Sequence, residues 1–153
     1  MIVREIMDNK ESISGTILAT LPEWFGIKSA RDTYIHHASH APMLGAELDE
    51  SIIGYVSLEV HLGNNCEIHS MGVIPRWHRN GVGAALIEAS AKWARSRGIG
   101  YLSVKTLSDK HPDENYAKTR SFYKACGFVP FEELPTLWGA NLPCLMLVRP
   151  LDI

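Results

Sequence analysis

The spacing of apolar residues changes several times along this chain, and each change marks an element. "IVREIM" (Ile2–Met7) reads as a short first strand. Between Glu11 and Trp24, Ile13, Ile17, Leu18 and Leu21 recur three and four apart, the spacing of one helix face, with Pro22 near the end. Lys28 to His40 continues as a helix with a weaker pattern. The period then drops to two. Ile52, Gly54, Val56, Leu58, Val60 and Leu62 alternate with Tyr55, Ser57, Glu59 and His61, which predicts a half-buried antiparallel strand. Asp49-Glu50 before it and Gly63-Asn64-Asn65 after it are turn chemistry, and a meander of about three strands follows from them.

The last strand of that meander, Cys66–Ile74, runs through Pro75 into a helix with Val82, Ala85, Leu86, Ala89 and Trp93 on one face. Arg95 and Arg97 sit in its last turn and Gly98 stops it. Tyr101–Leu107 is a strand, and a helix then begins at the N-cap Asp113 and stops at Gly127. Strands near Phe128–Phe131 and Leu142–Val148 close the chain. A strand–helix–strand unit after a meander predicts an α/β fold with a mixed sheet and helices on its faces. No repeat, low-complexity tract or linker divides the chain, so residues 1–153 read as a single domain.

Composition narrows the function. With 46% hydrophobic and 21% charged residues the chain is an ordinary globular one, and a net charge of -2 excludes binding nucleic acid by bulk electrostatics. Apolar runs are short and interrupted, and the N-terminus lacks the layout of a signal peptide, so no membrane association is expected. Cys66, Cys126 and Cys144 form no close-spaced pair, which fits a reducing cytoplasm.

The stretch "RWHRNGVGAAL" puts two glycines, two arginines and an asparagine at the start of a helix. Bare backbone and positive charge at a helix N-terminus form an anion site. The third glycine of a dinucleotide fingerprint is replaced by Leu86, and no Gly-Lys-Ser/Thr follows for a Walker loop. "VIPRWHRNGVGAALI" instead resembles the acyl-CoA pyrophosphate loop of the GNAT superfamily of N-acetyltransferases, V-x-P-x-x-[QR]-x-x-G-[IVY]-[GA]-x-x-L. Val73, Pro75, Gly81, Val82, Gly83 and Leu86 fall on it in register, and His78 stands where Gln or Arg is usual. "FYKACGF" resembles the same family's late helix and strand, with a Tyr four residues before Gly-Phe.

That resemblance implies a mixed, mostly antiparallel sheet whose fourth and fifth strands, here Cys66–Ile74 and Tyr101–Leu107, splay into a V, with helices on both faces. It implies acetyl-CoA as cosubstrate, held by the backbone from Arg79 through Asn80, Gly81, Val82 and Gly83 to Ala84, with Arg76 beside it. Met71 and Val73 supply oxyanion donors, and Tyr116, Arg120 and Tyr123 line the cofactor from the late helix. The acceptor is a primary amine of a small molecule or peptide, and transfer is direct, in a ternary complex. A homodimer is a common form in the family. The rival is a non-catalytic acyl-CoA-binding module of the same fold.

Acetyl transfer to an amine needs a base and an acid. On a regular strand Glu67, His69, Met71 and Val73 share one face. Glu67 is taken as the base, at the spacing of a catalytic glutamate in some GNAT enzymes, and His69 is the competing base. Tyr123 stands at the family's tyrosine position and is taken as the acid for the leaving thiolate. "HHASH" sets His36 and His40 one helical turn apart, but no third ligand is evident in the sequence, so no metal is expected. Cys126, next to the proposed acid, is read as a small buried hydrophobe.

Overall fold

A computed structural model of the chain describes residues 1–152. The chain runs β1 (Ile2–Ile6), α1 (Lys10–Ala19), α2 (Pro22–Phe25), α3 (Lys28–His40), β2 (Met43–Leu48), β3 (Ser51–His61), β4 (Asn65–Val73), α4 (Val82–Arg95), β5 (Tyr101–Leu107), α5 (Glu114–Ala125), β6 (Val129–Leu134) and β7 (Cys144–Pro150). The strands form one seven-stranded sheet in the order β1-β2-β3-β4-β5-β7-β6. Only β4 and β5 pair in parallel, and every other neighbouring pair is antiparallel. The expected mixed, mostly antiparallel sheet is therefore present.

Each face of the sheet has its own core. Leu86, Ile87, Ala91 and Ala94 of α4 and Tyr123 of α5 pack on Val56, Leu58, Ile68, Leu102 and Leu147. On the opposite face Ile17 and Leu18 of α1 and Ala38 of α3 pack on Ile6, Met43 and Tyr55. Coverage of both faces explains two differences from the sequence reading. β2 carries little alternation because four of its six residues are buried on either side, so the polar signal of a strand is missing. β3 is buried from Ile53 to Leu58, not on one face only, and the outermost expected core residue, Leu62, is fully exposed at the turn.

The helix expected from Glu11 to Trp24 is two helices. Proline lacks an N–H and disfavours helical backbone in the residue before it. Leu21 accordingly leaves the helical region (φ −124°, ψ 55°), and Pro22 opens α2 at its first turn. Asp49 and Glu50 both have positive φ (51° and 64°), the geometry of a tight turn matched to strand twist. The segment between β6 and β7 brings β7 back between β5 and β6.

Candidate active site

Beyond β4, Pro75–Trp77 forms one 3-10 turn, and the chain enters α4 through Arg79 (φ 62°) and Gly81 (φ 79°), both left-handed. The first bond into the helix runs from the Ala85 N–H to the Gly81 carbonyl at 3.0 Å. Among the described residues, no acceptor meets the N–H groups of Arg79, Asn80, Gly81, Val82, Gly83 and Ala84. A row of unpaired donors, curled by two left-handed residues and sited at the positive end of a helix, is a concavity for an anion. His78 is tied away from it, with Nε2 2.6 Å from the Val73 carbonyl. Asn80 Nδ2 donates to the His78 carbonyl at 2.8 Å, and the Arg76 guanidinium lies 5.2 Å from the Trp77 ring centre.

The two glycines do different jobs. A Cβ on Gly81 would meet nothing within 4 Å, so its backbone is open to a ligand and its positive φ is the reason for glycine. A Cβ on Gly83 would lie 2.9 Å from Phe122 and 3.3 Å from Met71. Gly83 is a packing glycine that lets α4 approach α5 and β4, while its N–H stays in the unpaired row.

The β4–β5 ladder runs from Asn65–Tyr101 to Ile68–Val104 and stops. His69–Val73 and Lys105–Leu107 then diverge, giving the expected splay. The Ile74 N–H bonds the Ile53 carbonyl at 2.9 Å. Counting back by two, Gly72 and Ser70 also turn their backbone toward β3, so Met71 and Val73 turn theirs into the gap. Across the gap the Leu107 carbonyl is bonded by Arg120 Nη1 at 2.8 Å. Helices from opposite faces meet through this opening. The Tyr116 hydroxyl donates to the Trp24 carbonyl at 2.9 Å, and Trp24 Nε1 donates to Thr119 Oγ1 at 3.1 Å. The Tyr116 hydroxyl is thus engaged in tying α5 to α2, and burial pushes its phenol up to about 12. Tyr116 and Arg120 both lie on α5, and their polar atoms are bonded within the protein, to the Trp24 and Leu107 carbonyls.

The expectation that Glu67, His69, Met71 and Val73 share a face does not hold. Ser57 pairs with Ser70 but Leu58 pairs with Ile68, so His69 is an extra residue in β4. Such a bulge shifts the alternation by one position. Met71 and Val73 pack with the α4 core, while Glu67 and His69 lie on the α3 side.

On that side a polar cluster assembles. Glu67 Oε1 is 2.8 Å from His61 Nε2, and Glu67 Oε2 accepts from Lys105 Nζ at 2.8 Å. Burial raises the Glu67 carboxyl, but the bonds from Lys105 and His61 outweigh it and hold the group below its ordinary value. The His69 ring stacks on His37 with centroids 3.5 Å apart and meets the edge of Tyr34. Burial first, then the neighbouring His37, pushes the His69 imidazole down, toward the neutral form. The Nδ1 atoms of His69 and His37 are both buried without a partner. His37 Nε2 in turn lies 3.5 Å from Glu59 Oε2.

The sequence reading missed His37, Glu59, His61, Lys105 and Tyr34. One signal was available. Glu59-Val60-His61 and Glu67-Ile68-His69 repeat Glu-x-His on either side of one turn, and the hairpin sets Glu59 opposite Glu67. Two carboxylates directly opposed on a sheet repel unless cations join them.

Tyr123 is buried in the α4-side core, edge-on to Phe122 and Phe128. Burial raises its hydroxyl far above the ordinary value, so it stays protonated. Cys126 is half-buried, and burial raises its thiol as well. A nucleophilic cysteine needs the opposite shift.

The pattern of the Acetyltransferase (GNAT) family matches residues 10–128, and the chain belongs to that family. Its fold is shared by solved structures of low identity. A protein described as an acetyltransferase of the GNAT family, from Desulfovibrio desulfuricans, superposes with a TM-score of 0.81 at 16% identity, covering 99% of this chain and 100% of that one. Ard1 from Thermoplasma volcanium gives 0.77 at 19% identity, covering 99% and 98%. An aminoglycoside 6'-N-acetyltransferase complexed with coenzyme A gives 0.76 at 19% identity, covering 100% and 98%. No curated protein sequence matches the chain. None of the described helices is long and apolar enough to cross a membrane.

Proposed function

We propose that this protein is an N-acetyltransferase that moves an acetyl group from acetyl-CoA directly to a primary amine of a small molecule or peptide. The observation that carries the reading is the row of unpaired N–H groups from Arg79 to Ala84, at the mouth of a sheet that opens between β4 and β5. Those donors suit a pyrophosphate, and the gap beside them is open to a thin pantetheine arm. The coenzyme A complex of a structural neighbour supports the same cosubstrate.

The acceptor amine enters as an ammonium and must lose a proton before its lone pair attacks the acetyl carbon. The C–N bond forms as the C–S bond breaks, and the thiolate leaves. Of the two candidate bases, hydrogen bonding favours His69. Both oxygens of Glu67 are engaged by His61 and Lys105, whereas burial and the neighbouring His37 hold the His69 imidazole toward its neutral, proton-accepting form. Glu67 then holds Lys105 and His61 in place. The N–H groups of Met71 and Val73 face the gap and receive the charge that builds on the acetyl oxygen. Tyr123, kept protonated, offers its O–H to the departing sulfur.

The test has two stages. Calorimetry with coenzyme A and acetyl-CoA measures the loop, and a panel of amines with acetyl-CoA, followed by release of free thiol, measures transfer. We expect tight binding of both cofactors and thiol release with a subset of amines. Absence of coenzyme A binding removes the proposal. Binding without thiol release across the panel converts it to the non-catalytic acyl-CoA module.

A further inference from the structure

We infer that His37, Glu59 and His69 form a binding site for a late divalent transition ion, zinc(II) being the fitting choice. One side-chain donor atom from each of the three lies within 4.8 Å of the others. They come from α3, β3 and the β4 bulge, so the fold and not a local motif brings them together.

Several observations point to a ligand here. The His69 Nδ1 atom is buried and has no partner, which is uncommon for a buried polar atom. Glu59 Oε2 is 3.5 Å from His37 Nε2. In a tetrahedral zinc site, with bonds of ~2.0–2.1 Å, donors stand about 3.3 Å apart, so the Glu59 carboxylate is within reach of His37, and a turn of the ring sets the final spacing. Two imidazoles and one carboxylate are a known zinc set that leaves a fourth position for water. Nitrogen donors exclude magnesium and calcium, which take oxygen. The neighbouring set of Glu59, His61 and Glu67 is the poorer one, because the Lys105 ammonium already sits on Glu67 at 2.8 Å and would repel a cation.

One rearrangement is required. The His37 and His69 rings are nearly parallel, 19° apart, so their in-plane lone pairs run side by side and do not converge. A metal ion must turn one of them. His37 is the more able to turn, on the outer layer of the fold with a quarter of its side chain exposed (24%). The His36–His40 pair on the same helix is not part of the site. It faces another way, with His40 Nδ1 near Ser39 Oγ and the His36 carbonyl, and it gathers no third ligand among the described residues.

Binding is read directly, without any activity. The full-length protein, stripped with EDTA and exchanged into buffer, is titrated with zinc sulfate against a chromophoric chelator. Cys126→Ser is used as the parent so that its half-buried thiol does not compete. We expect one equivalent of zinc, with the affinity falling about tenfold or more in His37→Gln and in Glu59→Gln. His36→Gln should bind as the parent does. Circular dichroism of each variant establishes that it is folded. The site is overturned if the folded parent takes up no stoichiometric zinc. It is also overturned if His37→Gln and Glu59→Gln bind as the parent does, or if the loss follows His36→Gln instead. Once an acceptor amine is known, added zinc should stop turnover and EDTA restore it, since a metal on His69 occupies its base nitrogen. Stoichiometric zinc at this triad with turnover unaffected leaves the metal site standing and removes His69 as the base.

Discussion

At the start of α4 the chain presents backbone, and where α3 meets β3 and β4 it presents side chains. The contrast decides how each region reads and how each can be damaged. The anion loop needs donors with no partners of their own, and a helix N-terminus has them by construction. Its side chains are secondary. His78, at the motif's Gln/Arg position, is bonded to Val73, and Asn80 to the His78 carbonyl. The polar cluster on the α3 side has the reverse logic. Its chemistry resides in imidazoles and carboxylates that only the folded sheet brings together.

The largest expected effect breaks the side-chain region. His69→Gln keeps a polar group of similar reach but cannot take up an ammonium proton. Turnover at neutral pH should fall about 10²–10⁴-fold with acetyl-CoA affinity unchanged. The defect should shrink as pH rises, because more of the acceptor then arrives neutral. Glu67→Gln made in parallel should be milder and show no such recovery, since it loosens Lys105 and His61 without removing the acceptor nitrogen. Steady-state rates over a pH series, with single-turnover rates to isolate chemistry, decide between them. If Glu67→Gln alone shows the pH-dependent recovery, the carboxylate is the base.

The next effect sharpens the comparison inside the loop itself, where two glycines one residue apart serve different ends. Gly83→Ala pushes a methyl to within 2.9 Å of Phe122, a ring held in the core between α4 and α5. Overpacking of this kind costs about 1–3 kcal/mol. A urea melt should show that loss, while the folded variant binds acetyl-CoA as before. An unchanged melt with lost affinity would return Gly83 to the phosphate.

These two regions also divide what the sequence discloses. Helices α4 and α5 and strands β3 to β5 are readable because local spacing and the flanking turn, cap and stop residues agree. Asp113 Oδ1 does accept from the Asn115 and Tyr116 N–H groups, as an N-cap should. The anion loop is readable for the same reason, being contiguous. β2 is implied only by the Asp49-Glu50 turn, and its bounds escape because two covered faces erase its alternation. The face assignment on β4 fails because the residue that shifts it, His69, is a bulge set by pairing with β3, and nothing local marks it. The partners of Glu67 escape for a third reason. His61 is six residues away and Lys105 is thirty-eight, and only the hairpin and the parallel crossover unite them.

The smallest effect tests whether the loop works through backbone and field. Asn80→Asp exchanges an amide for a carboxylate of the same shape, one position before the left-handed Gly81. The exchange removes one exposed bond, from Asn80 Nδ2 to the His78 carbonyl, and little else. In the free protein a carboxylate at a helix N-terminus is favourable by about 0.3–1 kcal/mol, so the fold should be as stable or slightly more so. Against a pyrophosphate in the same concavity it is a like charge. At roughly 6 Å and an effective dielectric constant of about 20–80, the repulsion is ~0.7–2.8 kcal/mol, or about 3- to 100-fold in affinity. Salt should narrow the gap between variant and parent, because the loop is exposed and screening acts on it. The signature is therefore a paired result: an unchanged or raised melting temperature, together with weaker coenzyme A binding whose deficit shrinks from low to high ionic strength. Dephospho-coenzyme A, which lacks the remote 3'-phosphate, should show the same deficit if the pyrophosphate is the group felt at Asn80. Equal affinities of Asn80→Asp and parent at low salt would mean that the anion does not sit over the N–H groups of Arg79 to Ala84, and the loop would then be only a turn.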